Sequence, residues 1–102
     1  MDIRIRYFDD CPSWRTAEER VRAVLADLGR PDVRPLLERV ATPEDADRLR
    51  FLGSPTILVN GRDPFAGPGR QYGLSCRVYE TPEGFAGAPT MQQIREALTG
   101  VA

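Results

Sequence analysis

The hydrophobic period of this chain changes once within its first 29 residues, and a cysteine–proline pair stands at the change. From Asp2 to Phe8 the residues alternate, with Ile3, Ile5 and Tyr7 on one face and Arg4, Arg6 and Phe8 on the other, which predicts a strand. Asp9-Asp10 breaks the run. From Pro12 to Gly29, the residues Trp14, Ala17, Val21, Val24, Leu25 and Leu28 recur at helical spacing. Pro12 suits a first helical turn, where its missing N–H costs nothing, and Gly29 followed by Pro31 is a natural stop. Cys11-Pro12-Ser13-Trp14 therefore falls where a strand hands over to a helix. A sulfur there faces unpaired backbone N–H groups that favour negative charge, and the thiolate is the nucleophilic form of cysteine.

The rest of the chain extends an α/β pattern. Val33 to Val40 predicts a second strand, and Pro35 within it argues for an edge position. Thr42-Pro43 opens a short helix to about Leu52, with Thr42 as N-cap. Thr56-Ile57-Leu58-Val59 is continuously apolar, as in a strand buried on both faces. Asn60-Gly61 signals a turn. The segment from Arg62 to Gly73, with Gly67-Pro68-Gly69 inside it, predicts a long loop. Leu74 to Glu80 alternates again, with Leu74, Cys76 and Val78 on one face. After a Gly/Pro-rich stretch, Met91, Ile94 and Leu98 mark a last helix between Thr90 and Gly100. The expected order is βαβαββα, with a mixed four-stranded sheet, flanking helices and a right-handed first crossover.

Composition excludes several chemistries. The 102 residues suit one domain, and an apolar fraction of 41% suits a globular one. A formal charge of −1 gives no support for nucleic-acid binding, which usually shows a basic face. No apolar run reaches the roughly 18 residues of a membrane span. Met1-Asp2-Ile3 opens into a strand pattern with no visible signal peptide, so a cytoplasmic location is expected. There is no histidine, which removes Ser–His and Cys–His catalysis and histidine metal sites. There is no lysine either, which removes Schiff-base chemistry.

Cys-Pro-x-x opening the first helix and Ser54-Pro55-Thr56 opening the third strand resemble the thioredoxin-fold superfamily over nearly the whole chain. More closely, Cys11 to Trp14, Gly53 to Ile57, Asn60 to Asp63 and Cys76 to Tyr79 resemble small bacterial thioredoxin-like proteins, some of them labelled alkylmercury lyase. The resemblance implies one thioredoxin-like domain over residues 1–102. It also implies a cis bond before Pro55, and a backbone edge at Ser54 and Pro55 that pairs with an extended substrate. One departure matters. The position of a second motif cysteine is Trp14, so no local dithiol exists.

The resulting expectation is an uncertain enzyme, of thiol–disulfide oxidoreductase type, that needs no cofactor. Cys11 is the candidate nucleophile in thiol–disulfide exchange or thiol-dependent peroxide reduction, and Cys76 a candidate resolving thiol. Pro12, Trp14, Ser54, Pro55 and Thr56 are candidate substrate contacts. The expected partner is a protein or small-molecule thiol or disulfide, with no nucleic acid and no membrane. Each assignment has an alternative. Cys76 can be a small buried hydrophobe between Leu74 and Val78. Trp14 can be the first core residue of the helix or line a groove, with Tyr72 and Tyr79 beside it. Asp63 and its loop form a lid or a solvated surface. Asp9 and Asp10 oppose a thiolate at Cys11, and Arg15 or Arg77 offsets them. Two other functions stay open. One is soft-metal or organomercurial handling by paired Cys11 and Cys76, with Asp10 as proton donor. The other is a non-catalytic interaction module.

Overall fold

Strand β1 (Ile3–Tyr7) occupies the middle of a mixed sheet in the computed structural model, which describes residues 1–66 and 72–100. It pairs in parallel with β2 (Leu36–Arg39) and antiparallel with β3 (Thr56–Val59), giving the order β2-β1-β3. Helix α1 (Ser13–Asp27) connects β1 to β2, and the short helix α2 (Pro43–Arg48) precedes β3. Strands β4 (Tyr79–Thr81) and β5 (Gly84–Ala86) form a separate two-stranded ribbon, and α3 (Met91–Thr99) closes the order.

Register sorts the faces. Ile5 lies opposite Ile57 and Ile3 opposite Val59, so these four residues share one side. Against them α1 sets Ala17, Val21, Val24 and Leu25, and α3 sets Ile94 and Leu98, all in one buried cluster. Fully burying each large aliphatic side chain stabilises by about 1.5–3 kcal/mol. The other side carries Arg4, Arg6, Thr56 and Leu58. Val40, Ala46 and Phe51 form a second, smaller cluster with Phe8, Leu49 and Leu74 packed on it.

Two arginines on that second face are held by one acid. Glu38 stands opposite Arg6 across β1 and β2. It accepts from Arg6 Nε and from Arg4 Nη1, each at 2.9 Å. Partial burial pushes its carboxyl up. The hydrogen bonds and charges of Arg6 and Arg4 outweigh that and hold it below the usual carboxylate range. Arg6 also donates to the Leu49 carbonyl, which ties β1 to the end of α2.

Local signals set the helix ends. At the end of α1, Arg30 N–H donates to the Leu25 carbonyl and Gly29 N–H to that of Ala26, with Gly29 at φ +72°. This is a Schellman closure. Helix α2 ends the same way, Phe51 to Ala46 and Arg50 to Asp47, but with an arginine at φ 54° where glycine fits better. Thr42 Oγ1 accepts from Asp45 N–H at the start of α2. Thr90 and Gln93 form a reciprocal capping box at the start of α3.

The expected sheet is corrected in one respect. Among the described residues it has three strands, and 74–78 is not a fourth. Cys76 makes only an isolated parallel bridge to Ser54, and the chain continues into the β4–β5 ribbon, whose second strand lies in the Gly/Pro-rich stretch. Of the expected loop between Arg62 and Gly73, residues 67–71 lie outside the described residues. No helix among the described residues is long and apolar enough to cross a membrane.

Candidate functional site

Cys11 and Cys76, separated by 65 positions in the chain, are joined by a disulfide with an S–S distance of 2.07 Å and a Cα–Cα distance of 5.5 Å. Neither cysteine is free. Their surroundings differ sharply: Cys11 is only 2% exposed, whereas Cys76 is exposed.

Cys11 is held by the turn between β1 and α1. Its N–H donates to the Phe8 carbonyl at 3.0 Å, and Pro12 begins the helical geometry at φ −69°. No side chain caps this end of α1, and its first turn contains no acidic residue. The open N–H groups of that turn favour negative charge nearby. Pro12 is exposed. Of the two acids before Cys11, Asp9 is paired with Arg39 at 2.7 Å.

Cys76 is held by its neighbours. Residues 76 to 80 alternate with Cys76, Val78 and Glu80 exposed, and Arg77 and Tyr79 buried. The alternative of Cys76 as a small buried hydrophobe between Leu74 and Val78 is therefore corrected, since Cys76 and Val78 are exposed. The reason is that Arg77 has partners inside. Its Nη1 donates to Asp63 Oδ2 at 2.6 Å and to Thr56 Oγ1 at 3.4 Å, and its guanidinium lies 4.6 Å from the Tyr79 ring centroid. The Tyr79 hydroxyl donates to the Pro55 carbonyl, and its ring meets Phe65 edge-on at 5.4 Å. Tyr79 is thus a buried anchor and not part of a groove.

The triplet Ser54-Pro55-Thr56 faces this segment. The Ser54–Pro55 bond is cis. Ser54 N–H donates to the Ser75 carbonyl at 2.8 Å, and Arg77 N–H donates to the Ser54 carbonyl at 2.9 Å. Ser54 Oγ accepts from Phe8 N–H at 2.9 Å, and Thr56 Oγ1 donates to the Gly53 carbonyl at 2.6 Å. All three residues are buried. With the disulfide formed, the backbone edge expected to receive a substrate is occupied by the chain's own residues 75–77. Gly53 permits that approach. It sits at φ +111°, and a Cβ there would lie 3.1 Å from Arg77 Cβ and 3.2 Å from the Ser75 carbonyl oxygen.

Trp14 is half-buried and is not part of the helix–sheet core. It stacks on Tyr7 with centroids 4.4 Å apart, and the Arg15 guanidinium lies 4.8 Å from its ring centroid. The core reading of Trp14 is therefore corrected: the side chain covers the end of β1 in the first turn after Cys11. Arg15 is engaged with that ring and Arg77 with Asp63. Asp63 is held by Arg77, and residues 67–71 of the candidate lid lie outside the described residues. Tyr72 is exposed.

A cleft of about 390 Å³ lies on the arginine-bearing sheet face, lined by residues including Arg4, Arg6, Phe51, Leu58 and Asp63. Neither cysteine lines it. No group of three or more His, Cys, Asp or Glu side chains among the described residues is placed to hold a metal ion. Gly53 and the Arg77–Asp63 pair are the contributors that sequence reasoning missed. Gly53 carries a signal, a glycine directly before Ser-Pro; the pairing of Arg77 with Asp63 carries none, because alternation does not say which face is inside.

No family model matches the chain, and neither a curated protein nor a solved structure is significantly similar to it.

Proposed function

We propose that this chain is a thiol–disulfide exchange protein of thioredoxin-like fold, cycling between a Cys11–Cys76 disulfide and the dithiol. The observation that carries the reading is the disulfide itself, which joins a cysteine at an uncapped helix N-terminus to an exposed cysteine 65 positions away. A pair with one exposed residue can be entered by a partner thiol without unfolding. The β2-β1-β3 order, parallel then antiparallel, supports the fold reading. The distant cysteine replaces the local one that Trp14 excludes. A disulfide that cycles would suit the cytoplasmic location expected from the sequence, where permanent disulfides are rare.

The partner is a dithiol or disulfide, on a protein or a small molecule. Two partner thiols reduce the Cys11–Cys76 bond and leave as a disulfide; the reverse reaction reduces a partner disulfide. Thiol-dependent peroxide reduction ends in the same Cys11–Cys76 bond, with a sulfenic acid on one cysteine condensing with the thiol of the other and releasing water.

The test is turnover of a disulfide substrate by the reduced protein under a supply of small-molecule dithiol, with Cys11→Ser and Cys76→Ser in parallel. Turnover by the wild type and its loss in both variants supports the proposal. An oxidised protein that resists reduction until it unfolds overturns it in favour of a purely structural disulfide. Stoichiometric mercury(II) binding by the dithiol without exchange activity would favour the soft-metal alternative.

A further inference from the structure

Within the exchange reading, on which this inference rests, the two sulfurs have unequal roles, and we infer that Cys76 is the attacking and attacked cysteine while Cys11 resolves. This reverses the assignment that the Cys-Pro motif suggests.

Three observations point the same way. First, access: Cys11 is 2% exposed beneath the start of α1, while Cys76 is exposed and is followed two residues later by exposed Val78. An exchange reaction requires the incoming sulfur to reach the sulfur it attacks, so the exposed residue is the one entered. Second, the leaving group: attack at Cys76 expels Cys11, whose thiolate forms beside the open N-terminus of α1, where unpaired N–H groups favour negative charge. Attack at Cys11 would expel Cys76, which belongs to no helix of its own. Third, the mount: Cys76 is fixed on both sides by buried anchors. Arg77 is bonded to Asp63 and Tyr79 to the Pro55 carbonyl, while Ser54 pairs with the backbone of Ser75 and Arg77. These contacts hold residue 76 over Cys11 without relying on the S–S bond, so the resolving step remains short-range.

The bonds balance as follows. A partner thiolate attacks Cys76 Sγ and forms a mixed disulfide. The Cys11–Cys76 bond breaks, its electron pair goes to Cys11 Sγ, and solvent protonates that thiolate as required. A second partner thiolate then attacks the partner sulfur of the mixed disulfide and expels the Cys76 thiolate. The partner dithiol is oxidised to a disulfide and the protein disulfide is reduced to a dithiol. In the reverse direction the Cys76 thiolate attacks the partner disulfide, and Cys11 attacks Cys76 to close the cycle.

The experiment uses the oxidised wild-type protein, so no variant need fold. Glutathione is added for a single turnover and quenched early with acid and an alkylating agent. The two cysteine-containing peptides are then read by mass spectrometry. The expected result is glutathione on Cys76 and the alkyl group on Cys11, exceeding the converse by at least about ten-fold because only one of the two residues is exposed. Glutathione predominantly on Cys11, or equally on both, overturns the inference while leaving the exchange reading in place. No glutathione on either cysteine, with the disulfide intact, overturns both. As a second measurement, reduced Cys11→Ser should react with an aromatic disulfide about as fast as the reduced wild type, and Cys76→Ser at least about ten-fold more slowly. The opposite order also overturns the inference.

Discussion

Arg77 donates to Asp63 at 2.6 Å, with the arginine side chain fully buried and the carboxylate 11% exposed. This pair decides which way residues 76–80 face. With Arg77 drawn inward to Asp63 and Thr56, Cys76 is turned outward and Tyr79 inward.

Removing one member of a buried pair leaves the other charge without compensation. Asp63→Leu is expected to destabilise the oxidised protein by about 3 kcal/mol, whereas the double change Asp63→Leu with Arg77→Met costs less than either single change. Urea unfolding of the four proteins measures this. A double variant less stable than both singles would show that the pair does not act as a unit.

The disulfide closes a long loop of chain. For a separation of 65 residues, chain entropy puts the loss of stability on reduction at roughly 4 kcal/mol. Denaturant midpoints with and without a dithiol reductant give the value, and the Cys11→Ser, Cys76→Ser double variant should match the reduced wild type. A change near zero would mean that the reduced, unfolded chain keeps these segments together.

Gly53 and Gly61 both have positive φ, +111° and +81°, but only Gly53 is crowded. Gly61→Ala meets open space and should cost about 1 kcal/mol from the backbone alone. Gly53→Ala must also push back Arg77 and Ser75, and should cost at least about 1 kcal/mol more while slowing re-formation of the disulfide. Equal costs at the two positions would place the Ser75–Arg77 segment farther from Gly53 than described.

Glu38 links stability to pH. Its carboxyl is held below its ordinary value of 4.5 in the folded state, so its contribution is fully present above that value and is lost as pH falls through the lower folded value. Glu38→Gln should lower stability at neutral pH by about 1 kcal/mol, and the difference from wild type should shrink as pH falls below 4.5. Urea midpoints across this range test it. A difference that persists unchanged at low pH would assign the effect to packing and not to charge.

Elements defined by neighbours in the chain were legible from the residues. Ile3-Arg4-Ile5 alternates as a strand, Val21, Val24 and Leu25 face the core of a helix, Thr42 caps α2, and Asn60-Gly61 turns with both residues at positive φ. The edge position signalled by Pro35 is that of β2. The orientation of the stretch after Leu74 was not legible, because alternation alone says that two faces differ, not which one is inside. Leu74, Cys76 and Val78 looked like the apolar face, but Arg77 found an acid 14 residues away and took the interior. β5 was missed because its glycine and proline neighbours read as loop, while its pairing with β4 depends on a partner strand.

By itself the sequence determined the helices, the three sheet strands and the placement of Cys11 where β1 gives way to α1, since periodicity, caps and turn residues act over a few positions. The tertiary structure decided the rest of the candidate site: that Cys76 reaches Cys11, that Cys76 and not Cys11 is exposed, and that residues 75–77 occupy the edge at Ser54. The physical reason is that burying a guanidinium is favourable only with a partner in place. That partner, the cis Ser54–Pro55 turn beneath it and the space left by Gly53 come together only when the chain is folded.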